Sequence, residues 1–201
     1  VAADTWQPAL LAQIRGAVGG GVTVVQIRER ELDDGEYLAF VRQCVSLMRE
    51  SPCRIVVNDR LDLALAASAS GVHLRESSVP IDAARRLAPP GFVVGRSVHD
   101  AATAAAARKA DYMIAGSVFE TESKPGQRPS LGLDGLRQVV AAAGQCPVWA
   151  IGGITAAHVE AVRACGAQGI AAIGAFLPPA GSASVEDAVR DATAAFRTRS
   201  T

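Results

Sequence analysis

Apolar and polar positions along the chain switch between two periods. Short apolar runs rich in β-branched residues are separated by longer stretches with helical spacing. The strand-like runs are Val22–Ile27, Arg54–Asn58, Gly71–Leu74, Phe92–Ser97, Tyr112–Ser117, Pro147–Ile151 and Gly169–Ile173. Helical spacing precedes Val22 (Leu10, Leu11, Ile14, Val18) and recurs over Asp34–Glu50, Leu61–Ser68, Ile81–Leu87, Ala101–Lys109, Leu133–Ala143, Thr155–Cys165 and Val185–Arg197. In Asp34–Glu50 the shared apolar face carries Tyr37, Leu38, Val41, Val45 and Met48. Pro80 suits the first turn of the helix that follows it. The polar stretch Glu120–Ser130 fits neither element.

Strands separated by helices imply parallel pairing. Seven strands are countable, more than the roughly five or six of an open doubly wound sheet. The pattern therefore predicts an α/β fold, a TIM (β/α)8 barrel in one domain spanning residues 1–201, whose first strand is missing or lies before Val1. An open flavodoxin-like sheet is the alternative.

Composition narrows the function. Hydrophobic residues make up 49% of the chain and aromatic residues 4%, so Ala and Val must supply close helix–sheet packing rather than a β-sandwich core. The 20 basic and 20 acidic residues cancel. That balance offers no electrostatic case for nucleic acid or an anionic membrane, and any phosphate site has to be local. No apolar run is long enough to span a bilayer, and no secretory signal is visible. Cys44, Cys53, Cys146 and Cys165 are widely spaced, without a CxxC pair, and read as reduced, packed thiols of a cytoplasmic protein.

In a barrel of this type, chemistry gathers at the C-terminal ends of the strands. The first run ends Gln26-Ile27-Arg28-Glu29-Arg30, and alternation puts Gln26, Arg28 and Arg30 on one side. Two guanidiniums and an amide suit a diphosphate, although a solvated basic strand end would read the same. The next run ends Asn58-Asp59. Asn58 can bond a ring or a phosphate, while Asp59 can hold Mg2+ or cap the following helix. His73 lies within a strand and reads as a packed core residue. Ser97 points inward, toward a polar ring. His99 precedes Asp100, a plausible cap, and His158 reads as an exposed mid-helix residue. Thr121, Ser123 and Lys124 sit on the polar stretch, which suits a lid over a phosphate or a plain surface loop. Gly152 and Gly153 follow one buried run; Ile173 and Gly174 end the next. Such a pair of strand ends can cradle a phosphoryl group on main-chain amides, or form two ordinary turns.

Taken together, these motifs resemble the thiamine phosphate synthase/TenI superfamily: the QxRxR strand end, Asn58-Asp59, GVHL at 71–74, GxSxH at 95–99, F-x-T-x-S-K at 119–124, IGGI at 151–154 and GAF at 174–176. The resemblance implies a closed barrel. It implies that Gln26, Arg28, Arg30, Asn58 and Lys124 face a pyrimidine diphosphate, that Asp59 holds Mg2+ and that Ser97 touches the pyrimidine. Thr121 and Ser123 would lie beside the thiazole, with Gly152, Gly153, Ile173 and Gly174 on its phosphate.

The departures fall on the metal and diphosphate side. Arg30 stands where a Lys is expected, Ser77 where the second metal-binding Asp is expected, and Gly174 where a Ser is usual. That pattern resembles the TenI-like branch, which keeps the thiazole phosphate pocket and includes thiazole tautomerases. The tautomerase's His, however, is replaced by Ser117, leaving His99 as the nearby substitute. The expectation is a TenI-like thiazole phosphate protein whose catalytic candidates are Lys124, Arg28, Ser97 and His99. The alternatives are an active synthase working with Mg2+, which makes thiamine phosphate, or a non-catalytic pathway binder. A homodimer is compatible with related barrels.

Overall fold

The computed structural model describes residues 3–120, 129–178 and 182–197, with side chains from residue 7 onward. Seven strands are present: β1 (Val24–Ile27), β2 (Arg54–Asn58), β3 (Gly71–Leu74), β4 (Val93–Val98), β5 (Tyr112–Gly116), β6 (Val148–Ile151) and β7 (Gly169–Ala171). They alternate with α1 (Ala3–Gly19), α2 (Asp34–Leu47), α3 (Leu61–Ala66), α4 (Ile81–Leu87), α5 (Ala101–Ala106), α6 (Gly132–Ala143), α7 (Val159–Ala164) and α8 (Val185–Ala194). The strands follow chain order in the sheet, β1 to β7. This is an α/β fold of the TIM-barrel type, as the periodicity predicts.

The element ends are trimmed relative to the pattern. The last strand stops at Ala171, and a 3₁₀ turn begins at Gly174. The helix expected over 155–165 is divided into a 3₁₀ turn, Ala156–His158, and α7. Apolar spacing cannot register such changes of hydrogen-bond step.

The chain divides into two compact units. The first comprises Val1–Val72, Pro90–Val93 and Ile173–Thr201. Within it β1 and β2 pair in parallel, from Val24 against Arg54 to Ile27 against Val57. The root of β3 joins them through the Ser70 amide, which donates to the Ile55 carbonyl at 2.8 Å. Helix α2 starts where the Asp33 carboxylate accepts the Glu36 amide at 2.9 Å. It buries Tyr37, Phe40, Val41 and Cys44, a stripe of three- and four-residue steps. Leu38 and Val45, assigned to that face from the sequence, are only half-buried. Helices α1 and α8 pack on small residues. A Cβ on Gly16 would lie 2.3 Å from the Glu186 carbonyl oxygen, and one on Gly20 would lie 2.5 Å from Thr193 Cβ. Beside that contact Arg15 donates to Glu186 at 3.1 Å.

The second unit comprises His73–Pro89 and Val94–Ala172. Its strands β4, β5, β6 and β7 are parallel, pairing Gly95 with Tyr112, Ile114 with Trp149 and Trp149 with Gly169. The Tyr112 and Trp149 rings stack with centroids 4.1 Å apart. Neighbouring glycines make room for them. A Cβ on Gly95 would sit 2.2 Å from Tyr112 Cζ, and one on Gly169 would sit 2.8 Å from Trp149 Cδ1. Alternate residues of the same strands, Val94, Val98, Met113, Ala115 and Ala150, are fully buried. Helix α6 adds Leu136, Val139 and Ala143 to the core.

All four cysteines are free and buried, as the sequence implies. Burial pushes the Cys44 thiol up to about 12 and the Cys53 thiol up to about 11. Since only the thiolate attacks disulfide reagents, the native protein at pH 8 is expected to release thionitrobenzoate far more slowly from Cys44 and Cys53 than after unfolding. Fast native-state labelling of both would contradict their burial. Gly16→Ala is expected to lower stability by about 1–3 kcal/mol through overpacking, measured as a fall in the urea midpoint. Gly19→Ala is the control: its nearest neighbour is a side-chain carbon of Arg190 at 3.5 Å, so stability should hold or rise.

Candidate active site

The strand ends of the first unit carry the basic and amide groups the sequence singles out. Strand β1 ends at Ile27, and Arg28 and Arg30 follow it as exposed residues. Strict alternation from Gln26 to Arg30 therefore has no sheet to enforce it. Gln26 is half-buried within β1, paired with Val56. Ile27 is held by the Tyr37 hydroxyl, which donates to its carbonyl at 2.9 Å. Asn58 ends β2, and the chain then turns sharply: Asp59 adopts φ 62, and the Arg60 amide donates to the Asn58 carbonyl at 2.8 Å. Asp is among the few residues that tolerate this left-handed conformation, at a cost. Such strain concentrates at functional sites.

Asp59 is not the helix cap. The residue before α3 is Arg60, which makes no side-chain cap bond. A capping residue needs extended φ/ψ, and a positive φ is incompatible with that. Arg60 instead joins two carboxylates, with 2.6 Å to Asp34 and 2.7 Å to Asp62. The hydrogen bonds from Arg60 hold both carboxyls below the usual carboxylate range. That arginine secures the starts of α2 and α3.

The second unit gathers a denser set. His73 is 2% exposed, a packed histidine as its strand position implies. Its Nε2 lies 2.9 Å from Ser97 Oγ and its Nδ1 lies 3.1 Å from the Tyr112 hydroxyl. Ser97 is thus tied to the core of its unit while remaining half-exposed. Arg96 donates to the carbonyls of Glu76 at 2.7 Å and Val79 at 2.8 Å, which shapes the turn after β3. Glu76 Oε2 then stands 3.7 Å from His99 Nε2. The other nitrogen of His99 must donate, because its partner at 2.5 Å is the Gly116 carbonyl. Asp100 caps α5, accepting the Thr103 amide at 2.7 Å, so His99 sits at a helix entrance as expected.

Gly152 and Gly153 adopt φ 101 and φ 62. The sequence reading gives them a ligand-facing reason to lack a Cβ. The structure supplies another: a Cβ on Gly152 would lie 2.5 Å from Ser117 Cβ, and one on Gly153 would lie 2.3 Å from the Glu120 carbonyl oxygen. The Val118 and Phe119 amides donate to the Ile151 and Gly152 carbonyls at 2.8 and 3.0 Å. The chain after β5 is thereby held along the end of β6. His158 is not an exposed mid-helix residue. It is half-buried in the 3₁₀ turn, its ring tilted 31° against that of Phe119 with centroids 4.3 Å apart.

Gly174 belongs to the first unit, where it is exposed and an added Cβ would meet nothing within 4 Å. Ile173 beside it is 58% exposed. Packing therefore does not dictate glycine at 174. Thr121, Ser123 and Lys124 lie outside the described residues. Arg96, Tyr112 and the contact of Glu76 with His99 escaped the sequence reading. A charged residue inside the apolar run at 92–97 is the signal that could have drawn attention to Arg96.

Among the described residues no group of three or more His, Cys, Asp or Glu side chains gathers as a metal site. Asp59 is one half-buried carboxylate, and Ser77 is an exposed hydroxyl. Mg2+ often takes one or two carboxylates and fills its shell with water and substrate phosphate oxygens. A single carboxylate at Asp59 therefore fits an ion whose other ligands come from water and substrate, not an all-protein cage. Among the described residues no helix is long and apolar enough to cross a membrane.

Fold and site define a TIM-type α/β protein with basic, amide and hydroxyl groups at its strand ends. Residues 2–176 match the family described as thiamine monophosphate synthase. The chain belongs to that family. A thiamine-phosphate synthase of Methanoculleus marisnigri is 40% identical over 185 residues, covering 91% of this chain and 87% of that protein. One of Moorella thermoacetica is 39% identical over 182 residues, covering 90% and 85%. The solved thiamine phosphate pyrophosphorylase from Pyrococcus furiosus superposes with a TM-score of 0.77 at 32% identity, covering 92% of this chain and 88% of that one. A 3-hexulose-6-phosphate synthase structure at 20% identity and TM-score 0.61 shares the fold.

Gly153→Ala is expected to be poorly tolerated, because φ 62 and the Glu120 carbonyl both oppose a Cβ. It should lower the thermal midpoint, whereas Gly174→Ala should leave the unfolding free energy within about 0.5 kcal/mol of the parent, as for an unconstrained surface substitution.

Proposed function

We propose that this protein is a thiamine-phosphate synthase, joining a hydroxymethylpyrimidine diphosphate to a thiazole phosphate with release of diphosphate. The observation that carries this reading is identity near 40% along some nine-tenths of the chain to proteins named thiamine-phosphate synthase. It reverses the order of preference drawn from Ser77, Arg30 and Gly174, which placed a TenI-like protein first.

The chemistry asks for stabilisation of a departing diphosphate. Arg28 and Arg30 at the end of β1, with Gln26 and Asn58, supply cations and amide dipoles for its oxygens, and Lys124 adds a further charge. Donors aimed where negative charge develops lower the barrier more than contacts already made in the ground state. Bound Mg2+, held by Asp59 and substrate oxygens, would neutralise charge on the leaving group. Ser97 bonds the pyrimidine ring. Gly152 and Gly153 would hold the thiazole phosphate on main-chain amides.

One observation favours a second reading, a TenI-type thiazole tautomerase. Ser77 offers no second carboxylate, while His99 Nε2 faces the Glu76 carboxylate at 3.7 Å, a pair able to move a proton. In that reading the site keeps the thiazole phosphate and needs no metal.

The two are separated by supplying both synthase substrates with Mg2+ and following thiamine phosphate, then supplying the non-aromatic thiazole carboxylate tautomer and following its ultraviolet spectrum. Synthase turnover abolished by chelation is the expected result. Isomerisation without thiamine phosphate would favour the tautomerase, and thiazole phosphate binding without either turnover would favour a binding protein. Asp59→Asn keeps a residue suited to φ 62 and removes the charge, so kcat/KM should fall about 100-fold with the fold intact by circular dichroism. Ser77→Asp is expected to lower the Mg2+ concentration needed for half-maximal rate. An unchanged Mg2+ requirement would mean that the ion is held elsewhere.

A further inference from the structure

The hydroxyl of Ser97 is the exposed end of a chain of polar contacts that runs into the core of the second unit. Tyr112 is 3% exposed and His73 is 2% exposed, and their rings stack with centroids 5.5 Å apart. The Tyr112 hydroxyl, His73 and Ser97 Oγ then connect in series at 3.1 and 2.9 Å. Gly95 is required for this chain, since a Cβ there would approach the Tyr112 hydroxyl to 2.5 Å. A buried imidazole between two hydroxyls can be ordered in two ways. In a neutral ring one nitrogen donates and the other accepts. Hence the direction of the bond from Tyr112 dictates the direction of the bond to Ser97.

The chemistry of the three groups selects one order. A phenol is a stronger donor than an aliphatic hydroxyl and a weaker acceptor, because its oxygen lone pair is delocalised into the ring. An imidazole nitrogen is a better acceptor than either hydroxyl. The favoured arrangement has Tyr112 donating to His73 Nδ1. The proton of His73 then resides on Nε2, which donates to Ser97 Oγ. Burial raises the Tyr112 hydroxyl above the ordinary phenol range, so it keeps its proton.

We propose that Tyr112 and His73 are positioning residues that fix the polarity of Ser97, so that its own O–H is directed away from the core to donate to an acceptor on the substrate ring. The reversed chain would make Ser97 spend that proton on His73 and present only lone pairs outward. Recognition of a heterocyclic nitrogen would then fail, and a donor group such as an exocyclic amine would be preferred. The identity of the ring rests on the synthase reading above; the order of the chain does not.

The test reads the chain directly. The protein has three histidines, so ring nitrogen spectra of 15N-histidine-labelled protein are simple, and His73→Gln assigns the His73 signals. The expected spectrum shows the Nε2–H tautomer at His73. An Nδ1–H tautomer, or a ring protonated on both nitrogens, overturns the proposal. Tyr112→Phe keeps the stack and removes the donor: the His73 signals should shift toward the Nδ1–H form. In the synthase reaction kcat/KM for the pyrimidine diphosphate should fall about 3- to 10-fold, the weight of one hydrogen bond, with the KM for thiazole phosphate unchanged. Unaltered signals and unaltered kcat/KM in Tyr112→Phe would also overturn it. If Tyr112→Phe fails to fold, Ser97→Ala must move the His73 Nε2 signal, and an unmoved signal counts against the proposal. Absence of synthase turnover in the parent protein would remove the reading of function while leaving the spectrum to decide the order of the chain.

Discussion

The structure of the second unit depends on a steric constraint between neighbouring strands. Tyr112 and Trp149 occupy adjacent parallel strands and stack on each other, so the residues across from them have to be glycine. Gly95 and Gly169 meet that requirement. With few aromatic residues in the whole chain, placing two of them here commits much of its large-ring volume to one layer. The stack continues to His73, and through it to Ser97 at the end of β4. A candidate site residue is thus oriented from below by packing rather than by a loop. Sites built this way are held more tightly than sites on loops alone.

The arginines differ in their surroundings. Arg60 is engaged by Asp34 and Asp62, and Arg96 by the carbonyls of Glu76 and Val79. Both tie local turns together. Arg28 and Arg30 follow the end of β1 as exposed residues, where long cationic side chains can meet an anion at little desolvation cost. Balanced overall charge means that any attraction for a phosphorylated ligand has to come from local groups and not from a long-range field.

Kinship and substitution pattern point in different directions at Ser77. Identity spread along nearly the whole chain supports the synthase, while the hydroxyl at one position resembles a loss of metal binding. A single altered donor weighs less, because Mg2+ draws much of its coordination from water and phosphate. The other carboxylate, Asp59, stands at a strained turn. Nothing in helical capping explains φ 62 there, and a residue that merely starts a helix would have no reason to adopt it.

Element order, parallel pairing and the family were legible in the chain because each rests on local periodicity or on motif residues close in sequence. The buried state of His73 and of the four cysteines followed from their apolar neighbours in the same way. The close packing around Gly152 and Gly153 was not legible. Their missing Cβ atoms accommodate Ser117 and Glu120, residues of another βα connection, and no spacing within 147–155 encodes that contact. The tie from Tyr112 through His73 to Ser97, the clamp of Arg96 on the turn after β3 and the meeting of Glu76 with His99 likewise join separate segments. Sequence alone determined which segments become strands and which residues stand at their ends. Only tertiary structure decided which of those side chains touch, since hydrogen bonds and close contacts between distant segments depend on register and approach distance, which a linear pattern of apolar and polar positions does not carry.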